Sequence, residues 1–267
     1  MKRLIIIFPF ILGACLGVDD SKRQWTFESS LQLDGVNPIG ITETEGAIWL
    51  SDGDHNRLVS LDMAGNITEE IDEMDRPMHL SSEEGILYVP QYGNDEIIKI
   101  DKDRVTALLL GDSLDAPAAV DVKGDFIAIA DFYNNRILAY NGEEWMSFGK
   151  EGKGEGEFYY PTDVQITDES IWVADAYNNR VQVFDRSGNF ERMLGQDQKM
   201  NAATGIYVHN SQVFVTDFEN NRVLIFDLDG NLIQELKEGI DKPTDVLIYD
   251  GILFITNYRQ GQLVRYQ

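Results

Sequence analysis

The chain contains one cysteine, three histidines and only 22 basic residues against 46 acidic ones. A single cysteine excludes an internal disulfide and a thiolate metal site, so stability must come from packing. The acidic residues are spread along the whole chain, and a net charge of −24 repels a phosphate backbone, which argues against a nucleic-acid partner. No stretch shows a sustained helical period, which argues against a helical fold.

The common catalytic and metal-binding motifs are also missing. The sequence has no Gly-x-Ser-x-Gly, no His-Glu-x-x-His and no paired Cys-x-x-Cys. The run Asp52–Asn56 has oxygen ligands at alternate positions, but Arg57 and Met63 stand where a calcium loop needs Gly and Glu. We therefore assign no catalytic residue from a motif.

What the chain does contain is a repeated phrase. It reads Ala-Asp-Phe-Tyr-Asn-Asn-Arg at 130–136, and close copies stand at 174–180 and 216–222. A weaker copy lies at 51–57, and degenerate copies lie around Pro90 and Asn257. The equivalent positions are roughly 41 residues apart, and a fixed period of this length indicates a repeat architecture.

Each period contains four short strands. In the fourth unit, polar and apolar residues alternate over 162–166 and 181–184, a short apolar run fills 171–174, and a last strand follows at 190–194. Gly, Asn, Asp and Ser bound these runs, which is the pattern of antiparallel hairpins. Four strands in about 41 residues make one propeller blade. The sequence thus predicts an all-β fold, a six-bladed β-propeller of four-stranded antiparallel blades.

Closure of the ring requires the N-terminal segment. The sixth unit ends at Tyr266-Gln267 after its third strand, whereas residues 25–33 precede the first blade start at Pro38 and have no blade of their own. We predict that this N-terminal strand closes the last blade as its outer strand. Closure of this kind removes an open sheet edge that would otherwise invite aggregation.

The repeat resembles the NHL-repeat family of β-propellers. The matching pattern is a Pro, an apolar strand, Val-Ala-Asp, Asn-Asn-Arg, another apolar strand and a turn, and it is closest at Pro161–Gly188 and Pro117–Asn141. The resemblance implies a platform that binds a protein, peptide or glycan partner. RNA binding, known for some members through a basic face, does not carry over to so acidic a chain. Because the phrase recurs in blade after blade, we interpret it as structural.

The N-terminus reads as a targeting signal. Lys2-Arg3 precedes a short apolar stretch, Leu4–Leu12, which is too short to span a bilayer. It ends in Leu-Gly-Ala-Cys, which resembles the bacterial lipobox and predicts lipidation of Cys15. The predicted organisation is a lipoprotein signal peptide at 1–14, a lipidated Cys and tether at 15–24, and the propeller at 25–267. It implies a lipid-anchored protein of the bacterial cell envelope, with the outer membrane favoured; the alternative is a signal peptide that is cleaved without lipidation.

Candidate ligand residues are found where the repeat breaks its own pattern. The third residue of each blade start reads Gly40, His79, Ala119, Asp163, Gly205 and Asp245. His79, Asp163 and Asp245 fall on alternate blades, so the propeller predicts that they converge in the central channel. One imidazole and two carboxylates form a candidate metal or ligand site for a divalent cation such as calcium. The alternative is that they are polar residues lining a water-filled channel.

A second candidate set is aromatic. Tyr92, Tyr133, Tyr177 and Tyr258 follow the second strands of their blades, together with Phe132 and Phe218. Flat apolar rings on one face suit the stacking of a sugar ring or an extended peptide. The alternative is that these rings only pack between blades.

Two function classes follow from these sites. The first is a membrane-anchored envelope lipoprotein whose propeller binds a partner. The alternative is a channel-mouth, metal-dependent lyase or lactonase-like hydrolase. The resemblance to such enzymes is incomplete, because gluconolactonase-like propellers use a first-blade Glu where this chain has Gly40.

Overall fold

The computed structural model describes residues 23–267 as six four-stranded antiparallel sheets. The predicted signal peptide, Cys15 and most of the tether lie outside these residues. Within 23–267, no helix has the length and apolar character that a membrane crossing requires. The predicted all-β, six-bladed propeller is confirmed.

The strands follow the chain blade by blade, from the inner strand to the outer one. Blade one comprises β2 (Ile41–Thr44), β3 (Ala47–Asp52), β4 (Arg57–Leu61) and β5 (Ile67–Ile71). Blade two comprises β6 (Ser81–Glu83), β7 (Ile86–Gln91), β8 (Glu96–Asp101) and β9 (Arg104–Ala107). Blade three comprises β10 (Pro117–Lys123), β11 (Phe126–Asp131), β12 (Arg136–Tyr140) and β13 (Trp145–Phe148). Blade four comprises β14 (Pro161–Ile166), β15 (Ser170–Asp175), β16 (Arg180–Asp185) and β17 (Phe190–Leu194). Blade five comprises β18 (Ala203–His209), β19 (Gln212–Asp217), β20 (Arg222–Asp227) and β21 (Leu232–Leu236). Blade six comprises β22 (Pro243–Tyr249), β23 (Ile252–Asn257), β24 (Gln262–Tyr266) and the N-terminal β1 (Phe27–Gln32).

Hydrophobic burial between neighbouring blades holds the ring together. One cluster joins blades three and four, with Ala128 and Ala130 of β11 packed against Val164 and Ile166 of β14. Small side chains in one sheet make room for larger ones in the next, so neighbouring sheets pack face to face at close range. A blade therefore buries its faces only against its neighbours, as expected for a repeat architecture.

The N-terminal strand closes the ring as predicted. β1 pairs antiparallel with β24, with Leu31 opposite Leu263, and the backbones of Thr26 and Gln267 exchange two hydrogen bonds of 2.8 and 2.9 Å. Just before this strand, Trp25 is buried and donates its indole N–H to Gln212 of blade five at 3.0 Å. The segment thus spans two blades, a second attachment that the pairing pattern alone does not reveal.

The repeated phrase forms hydrogen bonds within its own blade and to the chain just before the next blade. Asp131, Asp175 and Asp217 are fully buried, and each accepts a hydrogen bond from the Nε–H of the arginine at the end of the phrase, at 2.6–2.8 Å. The other carboxylate oxygen of each aspartate accepts a backbone N–H that lies 16 residues earlier in the chain. These contacts support the structural interpretation of the phrase.

The last asparagine of the phrase makes the contact between blades. Asn135, Asn179 and Asn221 have φ values of 52°, 57° and 53°, a left-handed conformation that asparagine tolerates. Their side-chain oxygens accept the backbone N–H just before the next blade, at 2.8, 2.7 and 3.1 Å.

One alignment made from the sequence is wrong by a residue. The position equivalent to the aspartate in blade two is Gln91 rather than Pro90, because the Gln91 side chain accepts the N–H of Asp75, again 16 residues earlier. In blade six Asn257 accepts the N–H of Asp241 in the same way. The side chains of Gln91 and Asn257 thus keep the hydrogen bond to the backbone N–H but lack the ion pair with arginine that the aspartates form.

Candidate functional site

His79, Asp163 and Asp245 converge as the quasi-threefold pattern predicts. Nδ1 of His79 lies 3.4 Å from Asp245 Oδ2 and 3.8 Å from Asp163 Oδ2. One ligand atom from each of the three residues lies within 4.8 Å of the others, and all three side chains are buried. We call these three residues the channel trio. Asp163 and Asp245 lie on the inner strands β14 and β22, and His79 directly precedes β6.

The two aspartates also have a structural role. Asp163 Oδ2 accepts the backbone N–H of Ile206 at 2.7 Å, and Asp245 Oδ2 accepts that of Ile41 at 2.9 Å. Each carboxylate therefore joins its own blade to the inner strand of the next. Inner strands leave one edge of N–H groups facing the channel, and a buried N–H without an acceptor is costly. The two carboxylates therefore stabilise the contacts between neighbouring blades, a role that the sequence did not show.

His79 has no such structural role in its side chain. Blades two and three join through backbone bonds instead: the His79 N–H donates to Ala118, and the His79 carbonyl accepts from Val120, at 3.0 and 3.2 Å. The imidazole Nδ1 is buried, and its nearest acceptors among the described residues are the two carboxylates at 3.4 and 3.8 Å, which form no well-aligned hydrogen bond with it. A buried polar atom of this kind calls for a specific explanation, such as a bound ion.

The small residues of the pattern are required by close blade contacts. A Cβ on Gly205 would lie 2.2 Å from the Thr244 carbonyl oxygen, and one on Gly40 would lie 2.8 Å from the His79 Cα. Blades one and two, and blades five and six, therefore approach too closely for any side chain at these points. Glycine at these two positions is therefore explained by close packing, and aspartate at 163 and 245 by its hydrogen bonds to the next blade, whereas the imidazole of His79 is explained by neither.

The electrostatics of the trio favour a bound positive charge. Burial raises the pKa of Asp163, His79 lowers it and the nearby Asp245 carboxylate raises it, and the net result is a pKa of about 7. Burial lowers the pKa of His79, but the two aspartates outweigh it and the net shift is upward. Converging carboxylates in a buried site are relieved by a proton on His79 or by a metal ion that replaces this proton.

A cavity of about 270 Å³ adjoins the trio inside the channel. Asp163 and Asp245 contribute to its wall, and the rest is formed by the residues that follow along the inner strands, including Ser81, Asp121 and Tyr207. The site is therefore a buried polar cluster at one end of an internal space. A small molecule in this cavity would lie beside the two carboxylates.

Asp121 is a channel residue that the sequence interpretation missed. Its Oδ2 accepts the N–H of Ile166 in the next blade at 2.6 Å, and burial raises its pKa to about 7. It stands two residues after Ala119, and strand residues two apart share a face. Extending the comparison from the third residue of each blade start to the fifth would have found it, because that row reads Thr42, Ser81, Asp121, Gln165, Tyr207 and Leu247.

The aromatic side chains form a contiguous cluster across blades two to four. Phe132 and Tyr160 stack with ring centroids 4.7 Å apart, and Tyr159 stacks on Tyr160 at 4.6 Å. Tyr133 and Tyr177 pack edge-to-face against this row and keep 50% and 58% of their surface exposed. The members of this aromatic cluster are Tyr92, Phe132, Tyr133, Tyr159, Tyr160 and Tyr177.

The cluster differs in two ways from the predicted set. Tyr258 and Phe218 lie elsewhere: the Tyr258 hydroxyl donates to Asp54 at 2.8 Å, and the Phe218 ring lies 5.3 Å from the Lys242 ammonium group. Tyr159 and Tyr160 belong to the cluster although they precede a first strand rather than follow a second one. Both kinds of loop emerge on the same side of the ring, so the run Phe158-Tyr159-Tyr160-Pro161 was the available signal.

The sequence matches a known protein-family model. Residues 98–246 match a family described as TolB-like 6-blade propeller-like. No curated protein shows significant similarity to the chain.

Solved structures with a similar fold include propeller enzymes. A streptogramin B lyase is 17% identical with a TM-score of 0.70, over 91% of this chain and 97% of the lyase. A catalytically inactive virginiamycin B lyase from Staphylococcus aureus with quinupristin is 19% identical, with a TM-score of 0.67, over 91% and 85% of the two chains. A gluconolactonase from Xanthomonas campestris is 15% identical with a TM-score of 0.73, over 89% and 88%. At these identities the likeness concerns the fold.

Proposed function

The chain belongs to the TolB-like family of six-bladed propellers, and we propose that it is a metal-dependent enzyme of the lactonase-like hydrolase or lyase class. The observation that carries the proposal is the convergence of the buried Nδ1 of His79 and two buried carboxylates, with no well-formed hydrogen bond to Nδ1, beside a cavity. The fold it shares with a lyase and a gluconolactonase supports the same reaction classes.

The donor set fits a divalent cation. The His79 Nδ1 lies 3.4 and 3.8 Å from the nearest oxygens of the two aspartates. Two ligands of one ion at bond lengths of about 2.0–2.4 Å are separated by roughly 3–4 Å, so the three side chains could share an ion with small adjustments. Three protein ligands leave coordination positions for water or substrate, which is the arrangement of catalytic rather than structural metal sites.

In this proposal each residue of the trio has a defined role. His79, Asp163 and Asp245 hold the ion, which when bound would polarise a substrate carbonyl or acidify a water molecule. The N–H groups of Ile206 and Ile41 keep the two carboxylates in place from the neighbouring blades. The cavity of about 270 Å³ accommodates a small molecule beside the two carboxylates.

A metal titration tests the centre. We expect one of Ca²⁺, Mg²⁺, Mn²⁺ or Zn²⁺ at a hundredfold excess over its Kd to stabilise the protein by about 2.7 kcal/mol, or roughly 5–10 °C in Tm. The measurement is thermal unfolding at pH 8, where a proton on His79 competes least with the metal. The double variant Asp163→Asn/Asp245→Asn should lose this response.

Asp121→Asn is the matched control, because it removes a channel carboxylate with the same kind of backbone contact outside the trio. It should respond to the metal as the parent does, whereas the double variant should lose both the metal response and any metal-dependent opening of a lactone. Equal metal responses of the parent and the double variant, or no response of the parent, would show that the trio is only channel lining.

The binding platform is the second candidate function, and the aromatic cluster is the observation that favours it. Two half-exposed tyrosines supported by a stacked row offer flat faces to a sugar ring or a peptide. If the protein shows no response in the metal titration, the aromatic cluster becomes the better-supported functional site, with a protein, peptide or glycan as the partner.

The proposed cellular setting is a lipid-anchored protein of the bacterial envelope, favoured at the outer membrane, with an NHL-type repeat. It rests on the sequence of residues 1–15 and on the repeated phrase. Replacing the sole cysteine, Cys15→Ala, should abolish labelling by a fatty-acid probe and release the protein from the membrane fraction, because stable anchoring depends on acyl chains. Labelling that persists in the variant would contradict the lipobox assignment.

A further inference from the structure

We propose that the channel cavity binds a small polar molecule that carries a positive charge, such as an amino sugar, and excludes anions. Asp121 and Glu43 would pair with the ammonium group, and Ser81 would hydrogen-bond a hydroxyl group. As a statement about the substrate, this inference rests on the proposed function; as a statement about binding, it stands without the metal.

The charge of the cavity wall is the first observation. Four carboxylates contribute to the wall, from Glu43, Asp121, Asp163 and Asp245, and no Lys or Arg does so among residues 23–267. The neighbouring Lys123 is paired with Asp168 at 3.0 Å and does not line the cavity. Clefts lined by charges of one sign concentrate ligands of the opposite sign.

An unpartnered hydroxyl group is the second observation. Ser81 lines the cavity and is 9% exposed, and its Oγ has no hydrogen-bond partner among the described residues. A buried hydroxyl group without a partner is unfavourable unless a ligand or water completes its hydrogen bonds. The two observations are independent, because Ser81 contributes no charge.

Tyr207 adds an aromatic wall beside the carboxylates. Burial raises the pKa of its phenol, a backbone hydrogen bond with Ile248 lowers it, and the charges of Asp245, Asp121 and Glu43, which line the same cavity, raise it. An aromatic face next to carboxylates is a favourable environment for an organic ammonium group. The remaining wall residues, among them Thr42 and Gln165, are polar and can contact sugar hydroxyl groups.

Three ligands share the same pyranose ring but differ in charge: D-glucosamine is cationic, D-glucose is neutral and D-glucuronate is anionic. Comparing their affinities therefore tests the effect of charge at nearly constant shape. We expect calorimetric titration without added metal at pH 7.5 to show glucosamine binding about tenfold or more tightly than glucose, with no detectable binding of glucuronate at about 10 mM. In the variant Asp121→Asn/Glu43→Gln the preference for glucosamine should disappear. Asp125→Asn removes an exposed carboxylate in the turn after β10 and should keep the preference.

Equal affinity for the three ligands, tighter binding of glucuronate, or no binding of glucosamine would each overturn the inference. If the double variant does not fold, Glu43→Gln alone, at a half-buried position, should weaken glucosamine binding, and an unchanged affinity would contradict the proposal. Because no metal is added, the outcome is distinct from that of the metal titration. Charge-selective binding without a metal response would keep this inference and remove the proposed enzyme.

Discussion

A chain that begins at Pro38 is expected to lose more than 5 kcal/mol of folding free energy, or to aggregate. The truncation removes β1 and exposes the edge of β24, whose partners include Leu31 and Ser30. It also removes Trp25, Leu33 and Val36, which are buried at 3%, 2% and 1% exposure. Burial of a large apolar side chain contributes about 1.5–3 kcal/mol, and an open strand edge pairs readily with other chains.

The matched control begins at Gln24. It keeps Trp25 and the whole of β1 and loses the contacts of Arg23, which are hydrogen bonds with Gly251 and Gln212 and stacking on Trp25. Thermal unfolding and size-exclusion chromatography of the two proteins compare stability and association directly. Equal Tm values and a monomeric truncated protein would contradict closure by the N-terminal strand.

The fold could be predicted because the same local pattern of strands and turns recurs six times along the sequence. Alternation of apolar and polar residues, the turn residues and the repeated phrase all depend on neighbours in sequence, so they appear in the sequence directly. The attachment of Trp25 to Gln212 did not appear, since it joins residues 187 positions apart and no other blade repeats it.

The candidate site could be predicted in part for the same reason. His79, Asp163 and Asp245 were found because they break a regular pattern at equivalent positions. Their second role, hydrogen bonding to the next blade, could not be predicted from residue types, because it depends on whether two inner strands approach closely enough for backbone bonds. Blades two and three do so at His79, whereas Asp163 spans the join of blades four and five and Asp245 that of blades six and one.

The aromatic cluster shows a different limit. The sequence indicated which loops reach that face of the ring, but the side chains of those loops are placed by contacts specific to each blade. Tyr258 contacts Asp54 of the first blade, and Tyr177 packs on Tyr160. A shared position in the repeat therefore does not ensure a shared surface.

Replacing Asp175 by alanine is expected to cost about 3–5 kcal/mol, the range for breaking a buried, hydrogen-bonded ion pair. The fully buried carboxylate accepts hydrogen bonds from the Tyr159 N–H and from Asn178, Arg180 and Gln182 at 2.8–3.0 Å. The alanine variant would leave the Arg180 guanidinium buried at 6% exposure without its carboxylate. For a domain of this size the loss corresponds to a decrease of roughly 10 °C in Tm.

Two further variants separate the buried pair from a general effect of losing an aspartate. Asp185→Ala, at the end of β16 in the same blade, removes the acceptor of the Asn189 and Ser187 backbone N–H groups at an accessible site and should cost about 1 kcal/mol. Adding Arg180→Met to Asp175→Ala should restore part of the stability, because the double variant buries no unpaired charge. Denaturant unfolding of the parent and these variants gives the free energies. A loss below 1 kcal/mol for Asp175→Ala would mean that the repeated aspartate does not hold the blade together, and its recurrence would then need a functional explanation.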